Sequence, residues 1–126
     1  MSIEYWWHDL WNTSQMEQQR DKYKKAEETI EDDLDKINEL YREVKDIFNA
    51  MHDQMKGSVI DSDGRIRNDF NIALESFEKR RDALYQVFDE AIRNTKLALE
   101  RIKQQHKHYA EMAEQEDRDE KIKTEE

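Results

Sequence analysis

Gly57-Ser58-Val59-Ile60-Asp61-Ser62-Asp63-Gly64 holds both glycines of a 126-residue chain that contains no proline. Glycine readily closes a helix in the left-handed conformation, and Asp or Ser opens one by capping its free amides. Gly57 is therefore expected to end one helix, and Asp61, Ser62 or Asp63 to start the next. No other segment offers a reversal once the first helix has begun. The stretch reads as the single turn, residues 57–64, of a helical hairpin, with Gly57 and Gly64 as its turn residues.

Towards the N-terminus the apolar residues repeat with a helical period. With Tyr23 set as heptad position a, Ile30, Ile37, Val44 and Met51 also fall at a. Ala26, Leu40 and Ile47 fall at d, and Leu34, Tyr41, Phe48 and Met55 at e. Asp33 and Gln54 are the polar d positions. Glu28, Asp32, Asp35, Glu39, Glu43 and Asp46 solvate the opposite face. Ser14-Gln15-Met16-Glu17 fits a capping box, so the first helix is expected over about 14–56, roughly 64 Å long.

Towards the C-terminus Phe70, Phe77, Leu84, Ala91, Ala98 and Met112 occupy a, with Gln105 interrupting. Ala73 and Val87 lie at d, and Leu74, Phe88, Ile102 and Tyr109 at e. Tyr85, Ile92 and Leu99 at b widen the stripe through the middle of this helix, expected over about 65–112. The small residues Ala91, Thr95 and Ala98 leave room for a close helix neighbour. Residues 113–126 are strongly acidic, with Ile122 the last apolar residue, and are expected to fray. The expected fold is all-α: a long antiparallel, coiled-coil-like hairpin in one domain, 1–112, with a short N-terminal aromatic helical segment and a disordered acidic tail.

A stripe spanning a, d, e and b is wider than one partner helix buries, and soluble monomers seldom expose a long apolar patch. The hairpin is therefore expected to be half of a four-helix or larger bundle. The partner-binding candidates are Phe48, Met55, Tyr85, Phe88, Ile92, Leu99, Ile102 and Tyr109. Trp6, Trp7 and Trp11, all the tryptophans of the chain, join them from Tyr5-Trp6-Trp7-His8-Asp9-Leu10-Trp11. That cluster has two main readings, a plug over the end of the bundle or an aromatic anchor for a partner. A membrane-interface anchor is a third, opposed by the flanking Glu4 and Asp9.

The charge balance is 21 basic against 31 acidic residues, a net charge of -10. Such a chain gains no counterion-release energy on nucleic acid and is repelled by anionic membrane surfaces. No apolar run approaches the ~18 residues of a membrane span, and no basic and apolar leader opens the chain. Without cysteine there is no disulfide, thiolate metal site or thiol nucleophile. None of His8, His52, His106 and His108 follows a Glu by three residues, as the Glu-x-x-His pair of di-iron bundles requires. Asp61-Ser62-Asp63-Gly64 fails as a calcium loop, because Val59 takes its first ligand position and Phe70 its last. The carboxylates of 27–35 lie mostly on the wet face rather than in a desolvated pocket. Asp33, within the stripe, is expected to meet Arg80 or Arg81. No catalytic residue, metal or cofactor is expected, and the chain is read as a non-enzyme.

A hairpin of about 100 residues with a glycine turn and an acidic surface resembles the WxG/ESX-like proteins of type VII secretion. Its length near 126 residues makes it most similar to the small helical partner proteins of LXG toxins in Gram-positive bacteria. Met55-Lys56-Gly57 stands where the family has Trp-x-Gly, matching at the glycine alone. The family's Tyr-x-x-x-Asp/Glu pattern occurs as Tyr85-Gln86-Val87-Phe88-Asp89, within the second helix rather than after the hairpin, and Tyr109 is followed four residues on by Ala113. The resemblance implies an adaptor, or targeting chaperone, for a helical client: the N-terminal domain of an LXG-type toxin, a second small helical protein, or both. It implies a cytoplasmic protein, co-exported with its client without a signal peptide. The alternative expectation is a homodimer, a self-associating coiled-coil protein of structural or regulatory role.

Overall fold

The computed structural model describes the backbone over residues 3–125 and side chains over residues 15–122. Two helices, α1 (Ile3–Ile60) and α2 (Gly64–Glu125), form the hairpin, and no strand occurs among the described residues. The all-α hairpin class follows from the period of the apolar residues. The helix bounds differ from the sequence-based ones in three places.

The first difference is at the turn. Gly57 lies inside α1, and only residues 61–63 separate the helices. The left-handed residue is Gly64, with φ 58°. α1 continues past Gly57 because its last carbonyls find donors further on. The Asp61 amide donates to the Gly57 carbonyl at 2.9 Å, and the Ser62 hydroxyl to Val59 at 3.0 Å. The Arg67 guanidinium reaches back from α2 to the carbonyls of Val59 and Ile60, both at 3.1 Å. A helix end whose carbonyls are paired needs no glycine to stop it. The first bond of α2, from the Arg67 amide to the Asp63 carbonyl at 3.2 Å, puts Asp63 at its N-cap position.

The second and third differences are at the far ends. α1 runs through Ser14, so Ser14–Glu17 is not its start, and the aromatic segment of 5–11 is part of the same helix. α2 continues beyond residue 112 to Glu125. Glu, Gln, Lys and Arg are strong helix formers whatever their polarity, and Glu114 pairs with Arg118 one turn on at 3.4 Å. Ala113, just beyond the expected end, is 2% exposed.

The chain divides into two compact units. In the unit Leu34–Asn94, Tyr41 stacks on Phe88 with ring centroids 4.8 Å apart and meets Tyr85 edge-on at 5.5 Å. Phe48 packs on Phe77 at 5.8 Å and Tyr85 at 6.2 Å, and His52 stacks on Phe77 and bonds Glu78 at 3.0 Å. Partners move back along α2 as the chain advances along α1, which makes the pair antiparallel. This register sets the residues around 80 against those around 50. Asp33 accordingly does not meet Arg80 or Arg81: Arg81 pairs with its neighbour Asp82 at 3.0 Å, and Asp33 and Arg80 are exposed.

In the unit Met1–Asp33 with Thr95–Glu126, Tyr23 stacks on Tyr109 at 5.5 Å. Glu27 takes His106 at 2.7 Å and Glu31 takes Lys103 at 3.5 Å, again in antiparallel order. Among the described residues only Tyr41, Leu99 and Ala113 are buried. A two-helix seam has no third side, so almost every apolar residue keeps an exposed edge.

Candidate protein-interaction site

Large rings bridge the gap between two helices, and their rows fix which faces meet. In the unit Leu34–Asn94 the seam uses Tyr41 and Phe48 from α1 and Phe77, Tyr85 and Phe88 from α2. The rows beside the seam are left outside it. On α1, Leu40, Ile47 and Met51 are 51%, 57% and 43% exposed, and Ser58 continues their spacing of four and seven residues. On α2, Ile66, Phe70, Leu84 and Val87 are 60%, 41%, 36% and 61% exposed, with Ala73 in the same row.

Both rows lie on the same side of the hairpin. Each precedes its seam row by about a quarter-turn, and in antiparallel helices such flanks face one way. A cavity of about 270 Å³ near the turn is direct evidence, because Met55 and Ser58 of α1 and Phe70 and Ala73 of α2 line it together. The flank thus forms one apolar surface, two helices wide. Along it the charged side chains are Arg80 within the α2 row and Lys36, Glu43, Asp69 and Glu90 along its borders.

The other flank is polar. Asp35, Asn38, Glu39, Arg42 and Lys45 line an open groove of about 590 Å³ along α1, with Tyr41 at its base. The Lys45 ammonium sits 3.8 Å from the centre of the Tyr41 ring. Burial pushes the Tyr41 hydroxyl above its ordinary pKa of 10.0, and the neighbouring Asp89 carboxylate adds to the rise by penalising the phenolate.

Most of the partner-binding candidates are engaged within the hairpin. Phe48, Tyr85 and Phe88 form the seam, and Tyr109 stacks on Tyr23. Leu99 is buried, Ile92 and Ile102 are half-buried, and Met55 lines the cavity beside the turn. The side chains of Trp6, Trp7 and Trp11 lie outside the described residues. The residues left for a partner are at a and d, Leu40, Ile47, Met51, Phe70, Leu84 and Val87, none of which was among the partner-binding candidates. The available signal was the clustering of rings at e of α1 and at a, b and e of α2, since rings span a two-helix gap that aliphatic side chains leave unfilled.

Among the described residues no group of His, Asp and Glu is placed to hold a metal ion. Among the described residues no helix is long and apolar enough to cross a membrane. No family model, curated protein or solved structure matches this chain.

Proposed function

We propose that this protein is a non-catalytic helical adaptor, which contributes two helices to a bundle completed by another polypeptide. The observation that carries this reading is the apolar flank of the unit Leu34–Asn94. Seven of its large side chains are 36–61% exposed, while the whole chain has three buried residues among those described. Monomers rarely carry a contiguous apolar surface above a few hundred Å² unless it binds something. The client is a helical domain, because a surface two antiparallel helices wide is complemented by helices lying along it. The resemblance to LXG-toxin partners supplies the client class: the helical N-terminal domain of such a toxin, held in the cytoplasm and delivered to a type VII export machinery.

The test is co-expression with the helical N-terminal domain of an LXG-type toxin from the same genome, followed by purification on a tag carried by that domain. The wild-type chain is expected to co-purify stoichiometrically. Ile47→Glu combined with Val87→Glu, on the exposed flank, is expected to abolish recovery while circular dichroism stays helical. Full recovery of the double variant would refute the flank as the docking surface.

A further inference from the structure

We infer that the client's docking helix carries a carboxylate that pairs with Arg80, two to three turns from a large apolar side chain that fills the cavity beside the turn. The inference rests on reading the flank as a docking surface and names what the client must present to it. An unpaired cation, an apolar socket and the spacing between them, all within the unit Leu34–Asn94, support it.

Arg80 stands within the apolar α2 row, between Ala73 and Leu84, and is exposed. Its side chain makes no hydrogen bond or ion pair with any described residue. The residues one turn away on its own helix are Ser76, Phe77, Ala83 and Leu84, none of them acidic. The nearest carboxylates in sequence are already engaged, since Glu78 bonds His52 at 3.0 Å and Asp82 pairs with Arg81 at 3.0 Å. Phe48 packs on both Phe77 and Tyr85, which sets Arg80 level with about residues 45–50 of α1. The α1 row offers Ile47 and Met51 there, and Glu43 lies on the outer edge of that helix. Asp69 and Glu90 are about 15 Å or more away along α2, beyond the ~8 Å over which exposed charges stay coupled in physiological salt.

A bundle closed over the flank takes this guanidinium out of water. Burying a charge with no partner is strongly unfavourable, so a client that covers Arg80 must bring the compensating charge. A carboxylate matches the forked donors of arginine in a bidentate pair. Helices that are apolar throughout are rejected by the same penalty, which makes Arg80 a source of specificity on a surface that otherwise selects only for apolar area.

The socket is the cavity of about 270 Å³ lined by Met55, Ser58, Phe70 and Ala73. An apolar cavity of ~150 Å³ already holds a benzene ring. The Ser58 hydroxyl donates to the Gln54 carbonyl at 3.2 Å, so the walls offer an incoming group no free donor, and an apolar side chain suits them best. Phe70 and Ala73 precede Arg80 by about 11–15 Å along α2. A client helix lying along the flank covers that distance in roughly seven to ten residues, which puts the carboxylate and the apolar side chain on one of its faces.

Affinity of the full-length chain for the tagged LXG-type domain, measured by biolayer interferometry, tests the inference. Arg80→Met lengthens the apolar row, so it tightens binding unless it leaves a client carboxylate unpaired. It is expected to weaken binding by about tenfold or more, and Arg80→Glu to weaken it further. One Asp→Arg or Glu→Arg change in the client, two to three turns from a large apolar residue, is expected to bring Arg80→Glu back to within about tenfold of wild type. Ala73→Trp occupies the cavity and is expected to weaken binding by about tenfold with helicity unchanged. Arg80→Met binding as tightly as wild type, or more tightly, would overturn the carboxylate, as would a client in which no such change recovers Arg80→Glu. An Ala73→Trp variant that binds normally would overturn the apolar anchor. If Ile47→Glu with Val87→Glu loses the client while Arg80→Met keeps it, the docking surface stands and the pairing falls. If that double variant keeps the client, the flank reading falls and the pairing with it.

Discussion

Replacing Tyr41 separates the packing of the seam from its hydrogen bonding. Tyr41 is 8% exposed. Its ring stacks on Phe88 at 4.8 Å, meets Tyr85 edge-on and lies under the Lys45 ammonium. Its hydroxyl reaches the Tyr85 carbonyl only at 3.5 Å, a long contact. Tyr41→Ala removes the largest buried side chain among those described and leaves a cavity that two straight helices cannot close. Large-to-small aromatic changes in cores cost about 3–5 kcal/mol, within which each aromatic pair accounts for roughly 0.5–1.5 kcal/mol. Tyr41→Phe keeps both ring contacts and loses only the long bond, so its expected cost is below about 1 kcal/mol. Urea unfolding followed at 222 nm, at one protein concentration for all variants, measures both. Equal losses for Ala and Phe would refute the argument that the ring, not the hydroxyl, holds the helices together. So would an Ala variant within about 1 kcal/mol of wild type.

Three further outcomes follow from the turn and from the same tyrosine. Gly57 is helical with open space where a Cβ would stand, whereas Gly64 has positive φ. Gly57→Ala is therefore expected to stabilise by about 1 kcal/mol and Gly64→Ala to destabilise by about 1–2 kcal/mol, read as opposite shifts in Tm. Arg67→Ala strips the two carbonyls of Val59 and Ile60. Because the site is exposed, a loss of about 1 kcal/mol is expected, and Lys, lacking the forked donors, should not recover it fully. The raised Tyr41 pKa means the folded protein holds the phenolic proton more tightly than the unfolded chain does. This contribution is fully present below pH 10.0, the ordinary tyrosine value, and is lost as pH rises through the folded value. Wild type should thus lose stability more steeply than Tyr41→Phe in strongly alkaline urea titrations; parallel curves would refute the assignment.

The hairpin was legible because helical periodicity and the concentration of turn residues at 57–64 are local signals. Its finer bounds were not, because they depend on partners far along the chain. Gly57 reads as a helix end until Arg67 and Ser62 are seen satisfying the carbonyls beyond it. The acidic segment reads as a tail by polarity, yet propensity carries α2 through it to Glu125. The interaction surface was half legible. The width of the stripe showed that one helix partner was too few, but seven-residue bookkeeping does not say which rows close the seam. That choice belongs to side-chain size, and Tyr41, Phe48, Tyr85 and Phe88 made it.

The clasp of Arg67 on the end of α1 bears on time as well as on stability. It joins residues eight apart in sequence, whereas the His106–Glu27 pair joins residues 79 apart. Closing a short loop sacrifices far less chain freedom than closing a long one, so the hairpin is expected to zip from its bend towards its two ends. Each rung then forms beside one already made, as in other folds of low contact order. On this view Arg67→Ala and Gly64→Ala slow folding, while Glu27→Gln chiefly speeds unfolding. Stopped-flow measurement of both rates decides it, and slower folding in Glu27→Gln would show that the chain closes from its ends.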